Sequence, residues 1–90
     1  MKKIFPSKQY KKDYKRYRHQ PQKLKALGKV IDMLAEEIPI PSNYSPYMLH
    51  GEYDGCMECH IQGDSLLIWV DEVNNIIELV RLGTHSELFK

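Results

Sequence analysis

The sequence predicts one α+β domain: a short N-terminal strand and a helical hairpin packed on a twisted antiparallel sheet. Three observations predict it. The chain has 90 residues, enough for one small core and too few for two. Through Ile38 the apolar residues recur at helical spacing, and from Met48 onward they alternate or form short runs bounded by Gly and Asn. Hydrophobic residues make up 42% and charged residues 28%, the balance of a soluble globular chain. The longest apolar run, Leu66 to Val70, is far short of the roughly 20 residues that a membrane helix needs. The N-terminus, Met-Lys-Lys-Ile-Phe-Pro, has no apolar run behind it, so no secretory signal is expected and the expected compartment is the cytoplasm.

Taken in order, Lys2 to Phe5 is compatible with a strand, and Pro6 closes it. Ser7 is the expected N-cap of a helix running to Gln20. In it Tyr10, Tyr14 and Tyr17 fall at i, i+4 and i+7, one core stripe. Pro21 suits the first turn of a second helix, which runs to about Glu37 with Leu24, Leu27, Ile31, Leu34 and Ile38 as its buried seam. A short join makes the two helices an antiparallel hairpin. Three prolines make Pro39 to Tyr47 a loop. Gly51 and Gly55 punctuate a turn, and Cys56 to Ile61 alternates as a strand. Ser65 to Asp71 is an apolar strand, Glu72 to Asn75 a turn, and Ile76 to Leu82 the last strand, ended by Gly83. No internal repeat divides residues 1–90.

Net charge is +1, but its distribution is uneven. Residues 1–30 carry eleven bases against Asp13 alone, a net +10; residues 31–90 carry eleven acids against Arg81 and Lys90, a net −9. The asymmetry suits an anionic partner, nucleic acid or membrane surface, for the first third. Lys8, Lys11, Lys12, Lys15, Arg16 and Arg18 surround the tyrosine stripe and are the candidate contacts, although a solvated lysine-rich helix face accounts for them equally well.

Cys56-Met57-Glu58-Cys59-His60 matches the c-type haem attachment pattern. Strand geometry argues against it. Alternation puts Cys56, Glu58 and His60 on one face and Cys59 on the other, so two thioether bonds to one haem cannot form. The same division weakens a zinc site, which also lacks two further ligands at useful spacing. A cytosolic disulfide is not expected. No cofactor or metal is therefore assigned.

If the strands beginning at Cys56, Ser65 and Ile76 form a meander, His60 and Asp64 lie near the end that carries Arg81 and His85. Histidine titrates near neutrality and serves as base or acid, and arginine clamps phosphate and stabilises developing charge. That rim suits phosphodiester chemistry, though two histidines and an arginine are also ordinary surface residues.

Three motifs in order carry a resemblance: Leu49-His50-Gly51 followed by Gly55; His60-Ile61-Gln62-Gly63-Asp64-Ser65-Leu66-Leu67-Ile68-Trp69; and Arg81-Leu82-Gly83-Thr84-His85-Ser86-Glu87-Leu88-Phe89. Together with the lysine-rich Tyr-Lys-Lys-Asp helix, they make the chain resemble the YafQ branch of the RelE/ParE toxin superfamily over essentially its whole length. The resemblance implies a type II toxin, a metal-independent, ribosome-dependent endoribonuclease that cuts mRNA in the A site and inhibits translation. It implies a fold like that of small microbial ribonucleases. The implied partners are the ribosome, mRNA and a cognate antitoxin, in a hetero-oligomeric complex with no membrane component. The implied site is His60, Asp64, Arg81, His85 and Phe89.

One position departs from the branch pattern. A further histidine is usual two residues before the leucine of L-x-G, and here that residue is Tyr47. Either Tyr47 substitutes as a hydrogen-bonding group, or His50 reaches the site from a neighbouring register, or activity is reduced. Strand alternation favours Tyr47. In the implied mechanism His60, oriented by Asp64, is the general base and His85 the general acid, with the reverse assignment open. Arg81 stabilises the transition state, and Phe89 stacks on a base or packs the loop. Two rival readings are a ParE-like gyrase inhibitor, which needs no catalytic histidines, and a non-catalytic nucleic-acid-binding module.

Overall fold

Successive side chains in a strand point to opposite faces, so alternation along residues 57–84 sorts the chain into two cores. Cys59, Ile61, Leu67, Trp69, Ile77, Leu79 and Leu82 fall on one face and pack against Tyr10, Tyr17, Leu27, Val30 and Leu34. Leu66 and Ile68 fall on the other, where Leu49 and Leu88 complete a smaller second core. The computed structural model describes residues 1–89. It arranges them as β1 (Lys3–Pro6), α1 (Lys8–Lys15), α2 (Pro21–Ala35), β2 (Tyr47–Met48), β3 (Met57–His60), β4 (Ser65–Glu72), β5 (Ile76–Thr84) and α3 (His85–Leu88). Among the described residues no helix is long and apolar enough to cross a membrane.

The strands form one five-stranded sheet in the order β1-β5-β4-β3-β2. β2 to β5 are antiparallel, and β3, β4 and β5 form the expected meander. β1 departs from the wholly antiparallel expectation: it pairs parallel to β5, with Lys3 opposite Ile76 and Pro6 opposite Leu79. A parallel neighbour needs a long crossover, and the intervening helical hairpin supplies part of it. As an edge strand β1 tolerates Pro6, which offers the ladder no donor.

β1 covers only the first half of the β5 edge, and α1 takes over from there. Ser7 makes the transition. Its N–H donates to Leu79 O (3.0 Å), its hydroxyl donates to Val80 O (3.0 Å), and the same oxygen caps α1 by accepting from Tyr10 N (3.0 Å). One turn on, the Leu82 N–H, which no strand pairs, donates to Asp13 Oδ2 at 3.0 Å. α1 ends at Lys15 rather than Gln20, and the chain turns through residues 16–19. The tyrosine stripe is corrected accordingly. Tyr10 and Tyr17 are buried, but Tyr14 is 40% exposed, and Asp13 takes the position facing β5 at 0% exposure. In α2 the seam shifts to Leu27, Val30 and Leu34, and Ile38 lies beyond the helix, exposed.

A β-bulge decides where Arg81 points. Ile68 pairs with Arg81 but Trp69 pairs with Leu79, so Val80 is an extra residue on β5. Strict alternation from Leu79 would put Arg81 on the helix-covered face. The extra residue turns it over: Val80 packs against the second core, and Arg81 reaches Tyr53 on the same side.

β5 does not end at Gly83 but runs to Thr84 and leads directly into α3, an element the sequence reading lacked. A capping box starts it: Thr84 N donates to Glu87 Oε1 (2.8 Å) and Glu87 N to Thr84 Oγ1 (3.3 Å). Gly83 is closely approached by α3, since a Cβ there would sit 3.0 Å from Glu87 Oε1 and 3.1 Å from Leu88 Cδ2 and would push both side chains aside. Gly83→Ala should therefore lower stability by about 1–3 kcal/mol, the usual cost of overpacking, read as a fall in Tm; an unchanged Tm would show that α3 gives way freely.

A second prediction concerns acid. Burial raises the Asp13 carboxyl, but hydrogen bonds from Arg81, Leu82 and Gln9 outweigh it and hold the group below its ordinary value. The unfolded chain thus binds the proton more readily. The stabilisation is complete above the unfolded value, about pH 4, and is lost as pH falls through the folded value. Melts from about pH 6 to 2 should show the wild type losing stability below about pH 4, and Asp13→Asn should show a flatter acid limb.

Candidate active site

The second face of the sheet carries a row of side chains, one per strand: Tyr47 on β2, Glu58 on β3, Ile68 on β4 and Arg81 on β5. With strands about 4.8 Å apart, Glu58 and Arg81 stand about 10 Å from one another across Ile68. The next row toward the β3–β4 turn is His60, Leu66 and Gly83. α3 then lays Leu88 against Leu66 and Ile68. His85 is its first residue and Phe89 follows its last, four positions on, so the two rings meet on one side of the turn.

Arg81 is the best-held side chain here. Its Nε donates to Asp13 Oδ2 at 2.8 Å and its Nη2 to Asp13 Oδ1 at 3.3 Å. Its Nη1 donates to the Tyr53 hydroxyl at 3.1 Å. The bond to Asp13 above all, and then Tyr53, keeps its pKa above the ordinary value despite partial burial, so it stays cationic. Tyr53 meets Phe89 edge to face, 5.7 Å between ring centroids, and Phe89 lies over His85 at 4.7 Å and 34°. A continuous line of contacts therefore runs Asp13–Arg81–Tyr53–Phe89–His85, from a buried carboxylate to an exposed imidazole.

The other residues singled out from sequence lie around this line. His60 is exposed at the end of β3. Asp64 does not orient it: the Asp64 carboxylate turns toward α2 and pairs with Lys23 at 3.6 Å, and Lys23 also sits over the Tyr17 ring. The β3–β4 turn thus directs the acid to the helix side of the sheet. Tyr47 lies opposite Glu58, and hydrogen bonding to that carboxylate, with some burial, raises the phenol above its ordinary pKa and keeps it protonated. His50 remains in the loop at 85% exposure, 3.8 Å from Asp54. Alternation is thus the right guide at this position: Tyr47, not His50, adjoins the row.

Three residues were missed. Asp13 carried a signal, being the lone acid of the basic third and sitting three residues from Tyr10 on the buried side of α1. Glu58 was placed on the His60 face but given no part. It is 1% exposed, and its Oε1 has no hydrogen-bond partner among the described residues. Tyr53 carried no signal, since its role depends on a 3-10 turn, Gly51–Tyr53, that only the fold positions.

The cysteines behave as alternation predicts. Cys59 is buried in the main core, Cys56 packs against the second, and both thiols are free. Burial pushes both thiols above their ordinary pKa, Cys59 to about 12. Among the described residues no three His, Cys, Asp or Glu side chains are gathered so as to hold a metal ion. Lys8, Lys11, Lys12 and Lys15 on α1, and Arg16 and Arg18 in the turn that follows it, are all exposed, and Arg16 pairs with Glu87 of α3 at 3.2 Å.

The chain as a whole is similar to several known proteins. Two relatives are a YafQ toxin of Haemophilus influenzae, 37% identical over 60 residues, and the mRNA interferase toxin YafQ of Escherichia coli K12, 29% identical over 84 residues. The aligned parts are 63% of this chain and 59% of the first, and 92% of this chain and 90% of the second. A metal-bound toxin from Helicobacter pylori superposes with a TM-score of 0.88 at 40% identity, covering 99% of this chain and 100% of that one. The toxin of the Escherichia coli DinJ–YafQ toxin–antitoxin complex superposes with a TM-score of 0.84 at 28% identity, covering 99% and 98%. Residues 2–90 match the family described as bacterial toxin of type II toxin–antitoxin system, YafQ, and the chain belongs to that family.

Proposed function

We propose that this toxin is a ribosome-dependent endoribonuclease that cuts mRNA in the A site. The observation that carries the reading is the line from Asp13 to His85, which fixes a cation beside an exposed imidazole and an aromatic face. The name of the Escherichia coli relative, an mRNA interferase, supports the same chemistry.

The reaction is internal transesterification. The RNA 2′-hydroxyl gives its proton to His60, and its oxygen bonds to the adjacent phosphorus. The bond from phosphorus to the 5′-oxygen breaks, and His85 protonates the leaving oxygen. The products are a 2′,3′-cyclic phosphate and a 5′-hydroxyl, and no step requires a metal. DNA lacks the attacking group and is not cut. Arg81 donates to the non-bridging oxygens as charge builds. Tyr47, at the other end of the row, holds its single hydroxyl proton toward Glu58 and donates to the phosphate by exchanging that bond for one to RNA. Phe89 offers its ring to a base, as aromatic faces do for single-stranded RNA. Asp64, paired with Lys23, fixes the β3–β4 turn that presents His60.

The exposed cations of α1 bind ribosomal RNA phosphates, which positions the enzyme without reading sequence. A cognate antitoxin neutralises the toxin in the cytoplasm by binding it in a hetero-oligomer, as the DinJ–YafQ complex of the Escherichia coli relative suggests.

Cleavage of mRNA on programmed ribosomes, followed by mapping of 5′ ends, tests the site. His85→Ala and His60→Ala should each lower the rate by roughly 10²–10⁴-fold. Wild-type rates in both would overturn the assignment. Loss in Glu58→Gln with none in His60→Ala would move the base to Glu58.

Ribosome binding tests α1. Replacing Lys11, Lys12 and Lys15 with Gln should weaken binding and flatten the slope of log affinity against log salt by about 2 to 3. An unchanged slope would remove α1 from the interface.

A further inference from the structure

Arginine in this site is held more tightly than a phosphate-binding group needs to be, and the way it is held has a consequence. The guanidinium has five N–H groups. Asp13 takes one on Nε and one on Nη2, and the Tyr53 hydroxyl takes one on Nη1. One N–H then remains on each terminal nitrogen, the number that a two-oxygen contact with phosphate requires. Asp13 is fixed in turn, since Gln9 Nε2 donates to Oδ1 at 3.3 Å and Leu82 N to Oδ2 at 3.0 Å. Tyr53 is fixed as well, since its ring packs edge to face on Phe89 and its carbonyl accepts from Cys56 N at 2.9 Å.

We propose that Asp13 and Tyr53 are positioning residues which lock Arg81 in one pose, set against Phe89 and His85, and leave a single face of its guanidinium for the scissile phosphate. This rests on the endoribonuclease reading and deepens it. The lock also sets when Arg81 acts. Asp13 offsets its charge in the ground state, so Arg81 draws RNA in only weakly. Its free N–H groups gain most as charge develops on the phosphate, and such interactions raise kcat rather than lower KM. The hydroxyl of Tyr53 is what ties the guanidinium to the Phe89–His85 stack: among the described residues it is the one polar contact joining the two halves of the line.

The test is steady-state cleavage on programmed ribosomes by the full-length chain, with Tm measured alongside. Tyr53→Phe keeps the ring on Phe89 and removes only the hydroxyl. Its kcat should fall about tenfold, with KM and Tm close to wild type, because misplacing a reacting group is enough to cost that much. Asp13→Asn keeps an acceptor for Leu82 and removes the charge. Its kcat should fall by a similar factor while KM also falls, since the freed cation attracts RNA more strongly. A purely structural role would lower Tm without lowering KM. In heteronuclear NMR the Arg81 Nε–H of the wild type should give one resolved, slowly exchanging signal that broadens in Asp13→Asn.

Wild-type kcat in Tyr53→Phe, or a raised KM in a folded Asp13→Asn, would overturn the proposal. If Asp13→Asn does not fold, Tyr53→Phe decides alone. If Arg81→Ala cleaves as wild type while His85→Ala does not, the endoribonuclease reading stands and the lock on Arg81 falls. If the wild type itself does not cut, both fall.

Discussion

The carboxylate of Asp13 is 0% exposed and accepts four hydrogen bonds, from Gln9, Leu82 and two nitrogens of Arg81. Removing one member of a fully buried ion pair costs about 3–5 kcal/mol. The Arg81 side chain keeps 19% exposure, so the cost here is lower. Even so, it is a large share of the roughly 5–15 kcal/mol that holds a small domain together. The pair does two jobs at once. It satisfies the edge donor of β5 that β1 is too short to reach, and it orients the cation of the candidate site. α1 therefore cannot leave the β5 edge without releasing Arg81.

The β-bulge is the second constraint, and it works with the first. Val80 is the extra residue, and without it Arg81 would point under the helices, into the core that Leu79 and Leu82 occupy. With it, Arg81 faces the row that holds Glu58 and Tyr47. Downstream, Gly83 lets Glu87 and Leu88 pack close, and the Thr84–Glu87 capping box sets the start of α3. His85 and Phe89 are thus presented by a short helix whose start is fixed by local chemistry and whose underside is fixed by Leu88. Every residue of the Arg81 to Phe89 segment except Ser86 has a packing or hydrogen-bonding reason to be where it is.

How far the sequence reveals this differs by element. The α+β class, the Ser7 cap, the meander and the opposite placement of the two cysteines follow from spacing alone, because period 3.6 and period 2 are properties of the backbone. The parallel pairing of β1 is not legible, since nothing local distinguishes an edge strand that returns beside β5 from one that starts the sheet elsewhere. Counting residues from the Asn74-Asn75 turn brings His60 level with the Arg81 to His85 end, and the register of His60, Leu66 and Gly83 agrees despite the bulge, because the count concerns distance along the strand and not which face a side chain takes. α3 was missed although Thr84-His85-Ser86-Glu87 spells a capping box. Asp64 is expected to orient His60 because the motif carries both, but the turn sends its side chain toward Lys23 on α2. Tyr53 and Glu58 acquire their parts only through contacts between strands and loops distant in sequence.

The charge division now has a structural location. Most exposed cations sit on α1, α2 and the turn between them, whereas the candidate site lies on the other face of the sheet, which also carries Glu58 and Glu78 and where Arg81 is already offset by Asp13. Such a face has little electrostatic pull of its own on a polyanion, and like charges near the approach path oppose free RNA. Under the proposed reaction, affinity must then come from elsewhere on the molecule, and α1 is where the cations are. A toxin built this way gains access to mRNA when its basic helix is anchored and the message is held in place by something else. The ribosome supplies both conditions, as a phosphate-rich surface that also fixes the message. On the proposed reading, dependence on the ribosome follows from separating the binding charge from the cleavage site, with no switch within the toxin.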